Sequence, residues 1–155
     1  MSPRGGGRRC GPVVFTEPRV LLVAPDHDLA RLGTVSLETL GDFPVLDGRV
    51  NGHRNVPEYW EDAFTPFSTP KGRPVERSPL PVVSLEDIFT LVGVGEAVQP
   101  LSAHATRYHA RPDIAYLPIH DSPPARWVLV WRSDAETEPV RALAQIVRDL
   151  GTLVM

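Results

Sequence analysis

Five histidines (His27, His53, His104, His109 and His120) and one cysteine, Cys10, are the side chains in this chain best suited to metal binding or proton transfer. Their spacing supports neither chemistry. His104 and His109 stand five apart, whereas two ligands on one helix face need a separation of three or four. A lone cysteine excludes an internal disulfide and a cysteine-based zinc site. There is no Gly-x-Ser-x-Gly elbow, no Gly-x-Gly-x-x-Gly fingerprint and no phosphate loop. Val92–Gly95 (VGVG) follows a helix-like stretch instead of opening one, so a dinucleotide reading fails on context. Asp26-His27 fits a local turn in which either side chain is tied to nearby backbone. No catalytic residue, metal site or cofactor is expected.

Polar groups placed where strands hand over to helices offer a different chemistry, the grip on a small molecule. In open α/β sheets ligands sit beyond the carboxyl ends of strands, where helix N-termini present free N–H groups and a partial positive charge. Three such junctions can be read: Leu46-Asp47, Val83-Ser84-Leu85 and Leu101-Ser102-Ala103. Ser84 is the strongest of these, since its hydroxyl and backbone N–H could hold a carboxylate or another polar group. It also suits a plain helix cap, and both roles can hold together. Tyr59, Trp60, Phe64 and Phe67 gather in one short segment. An aromatic wall over an apolar ligand is one reading, and helix-to-sheet packing is the commoner use of that spacing.

The elements that must position these groups alternate between strand-like and helix-like runs, the pattern of a sheet flanked by helices. Val20–Val23 is a continuous apolar run ended by Pro25, as expected of a strand buried on both faces. Ser36–Leu40 predicts a short capped helix ending at Gly41, and Phe43–Leu46 a second strand. Asp47–Asn55 is a Gly/Asn-rich loop, after which Pro57 opens a helix carrying Tyr59, Trp60, Ala63, Phe64 and Phe67 on one face. Thr69–Ser78 reads as a polar loop and Leu80–Val83 as a strand. Ser84 then caps a helix with apolar Leu85, Ile88, Phe89 and Val92. Asp87 lies three residues on, in the manner of a capping box, and Gly93 and Gly95 supply the stop. Val98–Leu101 reads as a strand, Ser102–Tyr108 as a short helix, Ile114–Ile119 as a strand and Trp127–Trp131 as a core-facing strand. The last helix starts near Thr137, with Val140, Leu143, Ala144, Ile146, Val147 and Leu150 along one face.

Composition is that of an ordinary globular chain: 155 residues, 42% hydrophobic and 23% charged. The net charge is −3. Arg4, Arg8 and Arg9 make the first residues basic, so the body is more acidic than that figure and a poor match for nucleic-acid phosphates. The longest apolar runs are about five residues, far short of the ~20 a membrane-spanning helix needs. No apolar signal segment follows Met1, which points to a cytoplasmic setting. Residues 1–12 read as a flexible Gly/Arg leader, with Cys10 in it.

From about Phe15 to Gly151 the chain resembles the effector-binding region of a LysR-type transcriptional regulator. Four stretches carry the likeness: FTEPRVLLVAPDHDLA (Phe15–Ala30), VSLETLGDFPVL (Val35–Leu46), SLEDIFTLVGVGEA (Ser84–Ala97) and YHARPDIAYLPIHDSPPARWVLVW (Tyr108–Trp131). The resemblance implies an α/β, periplasmic-binding-protein-like (type 2) fold over 13–151, with the second lobe complete at about 26–113. The first lobe is then partial, with remnants at 13–25 and 114–150. The family's helix-turn-helix and the opening βα units of that lobe have no counterpart, which implies a truncated chain with exposed, aggregation-prone apolar surface. The effector cleft would be lined by the three junctions above (Asp47, Val83, Ser84, Leu85, Leu101 and Ser102), by Gln99, and by Thr16 from the first lobe. Implied partners are a small-molecule effector and other LysR-type chains, as homo- or hetero-oligomer. DNA would be reached only through a helix-turn-helix that this chain lacks. The alternatives are an interaction module that pairs with full-length relatives as a negative partner, or an inactive gene remnant.

Overall fold

Residues 7–47 and 66–155 are described by the computed structural model. In it the chain divides into a continuous unit, Pro18–Pro123, and a terminal unit built from Met1–Glu17 and Pro124–Met155. In chain order the elements are β1 (Arg8–Glu17), β2 (Arg19–Val23), β3 (Val45–Leu46), β4 (Arg77–Ser78), α1 (Leu85–Gly93), β5 (Gln99–Ser102), α2 (Ala105–Tyr108), β6 (Ala115–Pro118), β7 (Ala125–Arg132), α3 (Glu138–Leu150) and β8 (Leu153–Val154). Single 3-10 turns lie at Asp28–Arg31, Leu37–Gly41 and Ser133–Ala135.

The continuous unit is organised by β2, whose side chains alternate between two cores. Leu21 and Val23 pack with Leu37, Leu40, Val45, Val98, Leu117 and Ile119 on one face. Val20 and Leu22 pack with Leu46, Val82, Phe89, Val92 and Ile114 on the other. A strand covered on both faces tolerates no polar alternation, which explains the unbroken apolar run. Its neighbours β5 and β6 both run antiparallel to it. Parallel pairing of β3 with β4, and a bridge from Val45 to Val98, extend the surface outward. The turn at Leu37–Gly41 is held from a distance: Asp121 accepts from Leu37 N at 2.7 Å and from the Ser36 hydroxyl at 2.5 Å.

The terminal unit has the sheet order β7-β1-β8, with α3 packed against β1. Phe15 stacks on Trp127 at 5.5 Å between ring centroids, and Trp127 Nε1 donates to Glu17 Oε1 at 2.6 Å. The rim of the Trp131 ring closes on Gly11, where a Cβ would meet Cζ3 at 2.4 Å, so a larger residue at that point of β1 forces the ring to move.

Several expectations need correction. Leu80–Val83 is not a strand: Pro79 and Pro81 remove the ladder donors, and the pairing falls to Arg77–Ser78, inside the stretch expected to be loop. The short capped helix ending at Gly41 is present, wound as a 3-10 helix over Leu37–Gly41, with Ser36 accepting from Glu38 N at 3.1 Å. Pro44 shortens the second strand to Val45–Leu46. Arg8–Pro12, expected in the leader, begin β1, with Arg8 opposite Arg132 and Cys10 opposite Val130. Trp127–Trp131 is a strand but half-exposed, not core-facing. Along the expected apolar face of α3 only Ala144 is buried, while Leu143, Ile146 and Leu150 are 52%, 54% and 77% exposed. The loop beyond Asp47 and the helix expected to carry Tyr59, Trp60, Ala63 and Phe64 lie outside the described residues. Phe67 is half-exposed, with the Arg77 guanidinium 4.0 Å over its ring.

Candidate functional site

Parallel pairing of Val45 with both Arg77 and Val98 aligns β3, β4 and β5, so their carboxyl ends meet at one edge of the continuous unit. The amino end of β2 lies at that edge too, because β5 runs antiparallel to it. Asp47, Ser78, Ser102 and Arg19 are thereby gathered. α1 carries the chain back toward the start of β5, so its N-terminus, at Ser84, is on the same side.

Ser102 and Arg19 are directly opposite in the β2–β5 ladder, which places their side chains on one face. Both are buried, at 3% and 5% exposure. Ser102 Oγ has no hydrogen-bond partner among the described residues. Arg19 Nη1 donates to Ser122 Oγ at 3.2 Å. Burial disfavours its charge and brings its pKa down to about 10. The guanidinium therefore stays protonated at neutral pH in a water-poor setting, where an ionised group exerts more force than in bulk solvent.

Ser84 is a cap in full. Its hydroxyl accepts from Asp87 N at 3.2 Å, and Asp87 Oδ2 accepts from Ser84 N at 2.9 Å and from Val83 N at 2.8 Å. The Val83 amide, then the Ser84 amide and hydroxyl, hold the Asp87 carboxyl below its ordinary range. An anion arriving at this helix end would compete with a carboxylate already seated there. Ser84 and its neighbours Val83 and Leu85 are exposed.

Asp47 is mostly buried and ion-paired with Arg77 at 3.5 Å. Gln99, 2% exposed, donates from Nε2 to Pro100 O at 3.3 Å and pairs with Leu22 in the sheet. Leu101 is half-buried and packs against the α1-side core. Thr16 belongs to the terminal unit, half-buried in β1 opposite Arg126 and beside Val154. The structure thus brings Ser102 and Asp47 to one strand-end edge, seats Ser84 on the same side, and buries Gln99 at the start of β5. Arg19 and Arg77 were missed by sequence reasoning. The available signal for Arg19 was a cation at the first position of an otherwise wholly apolar strand; Arg77 gave none, lying in a run of polar residues. Among the described residues no group of three or more His, Cys, Asp or Glu could hold a metal ion, and no helix is long and apolar enough to cross a membrane.

The model of the LysR substrate binding domain matches residues 10–152. This chain belongs to the LysR substrate-binding domain family. That family consists of transcription regulators, not enzymes, and its effector-binding domains have the periplasmic-binding-protein-like type 2 fold seen here. No curated protein matches the chain by sequence. Among solved structures, it is similar to the regulatory domain of NMB2055 (MetR) from N. meningitidis at 19% identity and TM-score 0.65, covering 96% of this chain and 68% of that one. It is also similar to full-length BenM at 18% identity and TM-score 0.68, covering 97% of this chain and 48% of that one. The effector binding domain of QuiR, solved in complex with shikimate, matches at 14% identity and TM-score 0.59, with 96% and 66% covered. The LysR domain described here therefore spans about two thirds of isolated regulatory domains and about half of a full-length regulator.

Proposed function

We propose that this LysR domain senses a small polar molecule at the strand-end edge of its continuous unit and, in the cytoplasm, passes that state to the DNA-binding part of a transcriptional regulator. The observation that carries the reading is Ser102: a buried hydroxyl, on a residue opposite Arg19 in the β2–β5 ladder, with no partner among the described residues. A buried hydroxyl of that kind costs free energy unless something bonds to it. Asp47, Val83, Ser84, Leu85, Gln99 and Leu101 would surround the effector. Effector binding would then shift an existing equilibrium between arrangements of the two units.

A thermal-shift screen of organic acids and matched neutral metabolites tests this. At a hundred-fold excess over Kd a true effector stabilises by about 2.7 kcal/mol, on the order of 5–10 °C for a chain of this length. Ser102→Ala should remove the shift while leaving the unliganded chain folded. A screen in which no compound shifts the melting point, or in which Ser102→Ala keeps the full response, refutes the site.

A second reading is association with another LysR-type chain, as a partner that lowers its activity. It is favoured by the exposed Leu143, Ile146 and Leu150 stripe of α3. Light scattering of a mixture with an intact LysR-type regulator would detect the heterodimer, and two unchanged masses would exclude it.

A further inference from the structure

The chain passes between its two units twice, at Glu17–Pro18 and at Pro123–Pro124. Pro18, Pro123 and Pro124 have no N–H with which to extend a strand ladder across these points. Other groups have to hold the crossing segments to the continuous unit. Arg19, next to Pro18, does so twice. Its carbonyl accepts from Ile119 N at 3.0 Å, and its buried guanidinium donates from Nη1 to Ser122 Oγ, next to Pro123, at 3.2 Å. Asp121 supplies a further stitch, accepting from Leu37 N and from the Ser36 hydroxyl, and His120 N donates to Val35 O at 3.0 Å. The first crossing is tied through its backbone, with Ala103 N donating to Pro18 O at 2.9 Å. The second depends on the side chains of Ser122 and Asp121.

Arg19 is also the residue opposite Ser102 in the β2–β5 ladder. One residue therefore connects the strand-end edge with the second crossing. We propose that Arg19 is a two-position clasp. In the unliganded domain its guanidinium holds Ser122 and keeps residues 119–122 in place. An oxygen-rich group arriving at the Ser102 edge draws the guanidinium off Ser122, because its planar fork matches a pair of acceptor oxygens better than a single hydroxyl. Release of Ser122 loosens the segment that leads into the terminal unit. The trigger rests on the effector reading above; the hold on Ser122 does not.

Site-resolved hydrogen exchange of the whole chain, with no ligand added, tests the proposal. In Ser122→Ala the amides of residues 119–122 should exchange about ten-fold faster than in the wild type, the size of one hydrogen bond to a charged group. The amides of Phe89 and Val92 in α1 should keep their rates. Ser102→Asp places a carboxylate opposite Arg19 and should speed the amides of 119–122 as well, whereas Ser102→Ala offers Arg19 no acceptor and should not. If the buried carboxylate prevents folding, Ser102→Asn takes its place as an uncharged acceptor. The proposal is overturned by wild-type exchange at 119–122 in Ser122→Ala, by an equal acceleration in α1, or by acceptor-bearing and alanine variants at 102 that behave alike. No effector is present in these measurements. A failed thermal-shift screen therefore refutes the effector site, and a failed exchange result refutes the clasp.

Discussion

β1 and β2 carry comparable apolar runs, Pro12–Phe15 in one and Val20–Val23 in the other, yet their surroundings differ sharply. Leu21, Leu22 and Val23 are completely buried. Every residue from Pro12 to Phe15 is only half-buried. The cause is layering: β2 lies between two cores, whereas β1 has α3 packed against it and Leu143, Ile146 and Leu150 of that helix face solvent. Apolar sequence creates a demand for burial, and neighbouring layers decide whether it is met.

Substitutions in the two units should break or sharpen this contrast. The largest effect belongs to Phe89→Ala, which empties a wholly buried site on α1. About 3–5 kcal/mol of stability should be lost in chemical denaturation, and a loss under 1 kcal/mol would mean the α1-side core is not packed as described. Next comes Gly11→Ala in the terminal unit, where the new methyl group collides with the Trp131 ring. The expected cost is about 1–3 kcal/mol, with a changed near-ultraviolet dichroism as Trp131 tips outward. An unaltered spectrum would contradict the Gly11–Trp131 contact.

Ser84→Ala should cost about 1 kcal/mol through loss of the α1 cap. The other half of that cap depends on pH. Asp87 is held below its ordinary range by the Val83 and Ser84 amides, so its contribution is full above the unfolded carboxylate value, ~3.9, and is lost as pH falls through the folded value. The stability difference between the wild type and Asp87→Asn should therefore shrink between pH 7 and pH 3, and a constant difference would sink the capping account. Smallest of all is Leu143→Ser on the exposed stripe, expected within about 0.5 kcal/mol. A larger loss would show that α3 is covered in solution, which would favour the association reading.

Much of the continuous unit was legible from its residues. Ser84, Asp87 and the apolar positions after them form a local pattern that holds wherever the helix is placed, and the structure returns it as a reciprocal capping box. β2 was legible because only double-sided burial leaves so unbroken an apolar run. Leu80–Val83 misled, because its apolar character reflects Val82 entering the α1-side core, while Pro79 and Pro81 forbid the ladder. Arg19 opens an otherwise apolar strand, and it sits buried opposite Ser102.

From the chain alone came the α/β class and most element positions, since these follow from short-range periodicity, capping and turn chemistry; the family came from the resemblance of whole stretches. Only the tertiary structure decided which polar groups meet. The pairing of Arg19 with Ser102 spans 83 positions and that of Ser36 with Asp121 spans 85. Contacts so distant along the chain are set by strand register and layer packing, and no local spacing of residues encodes either.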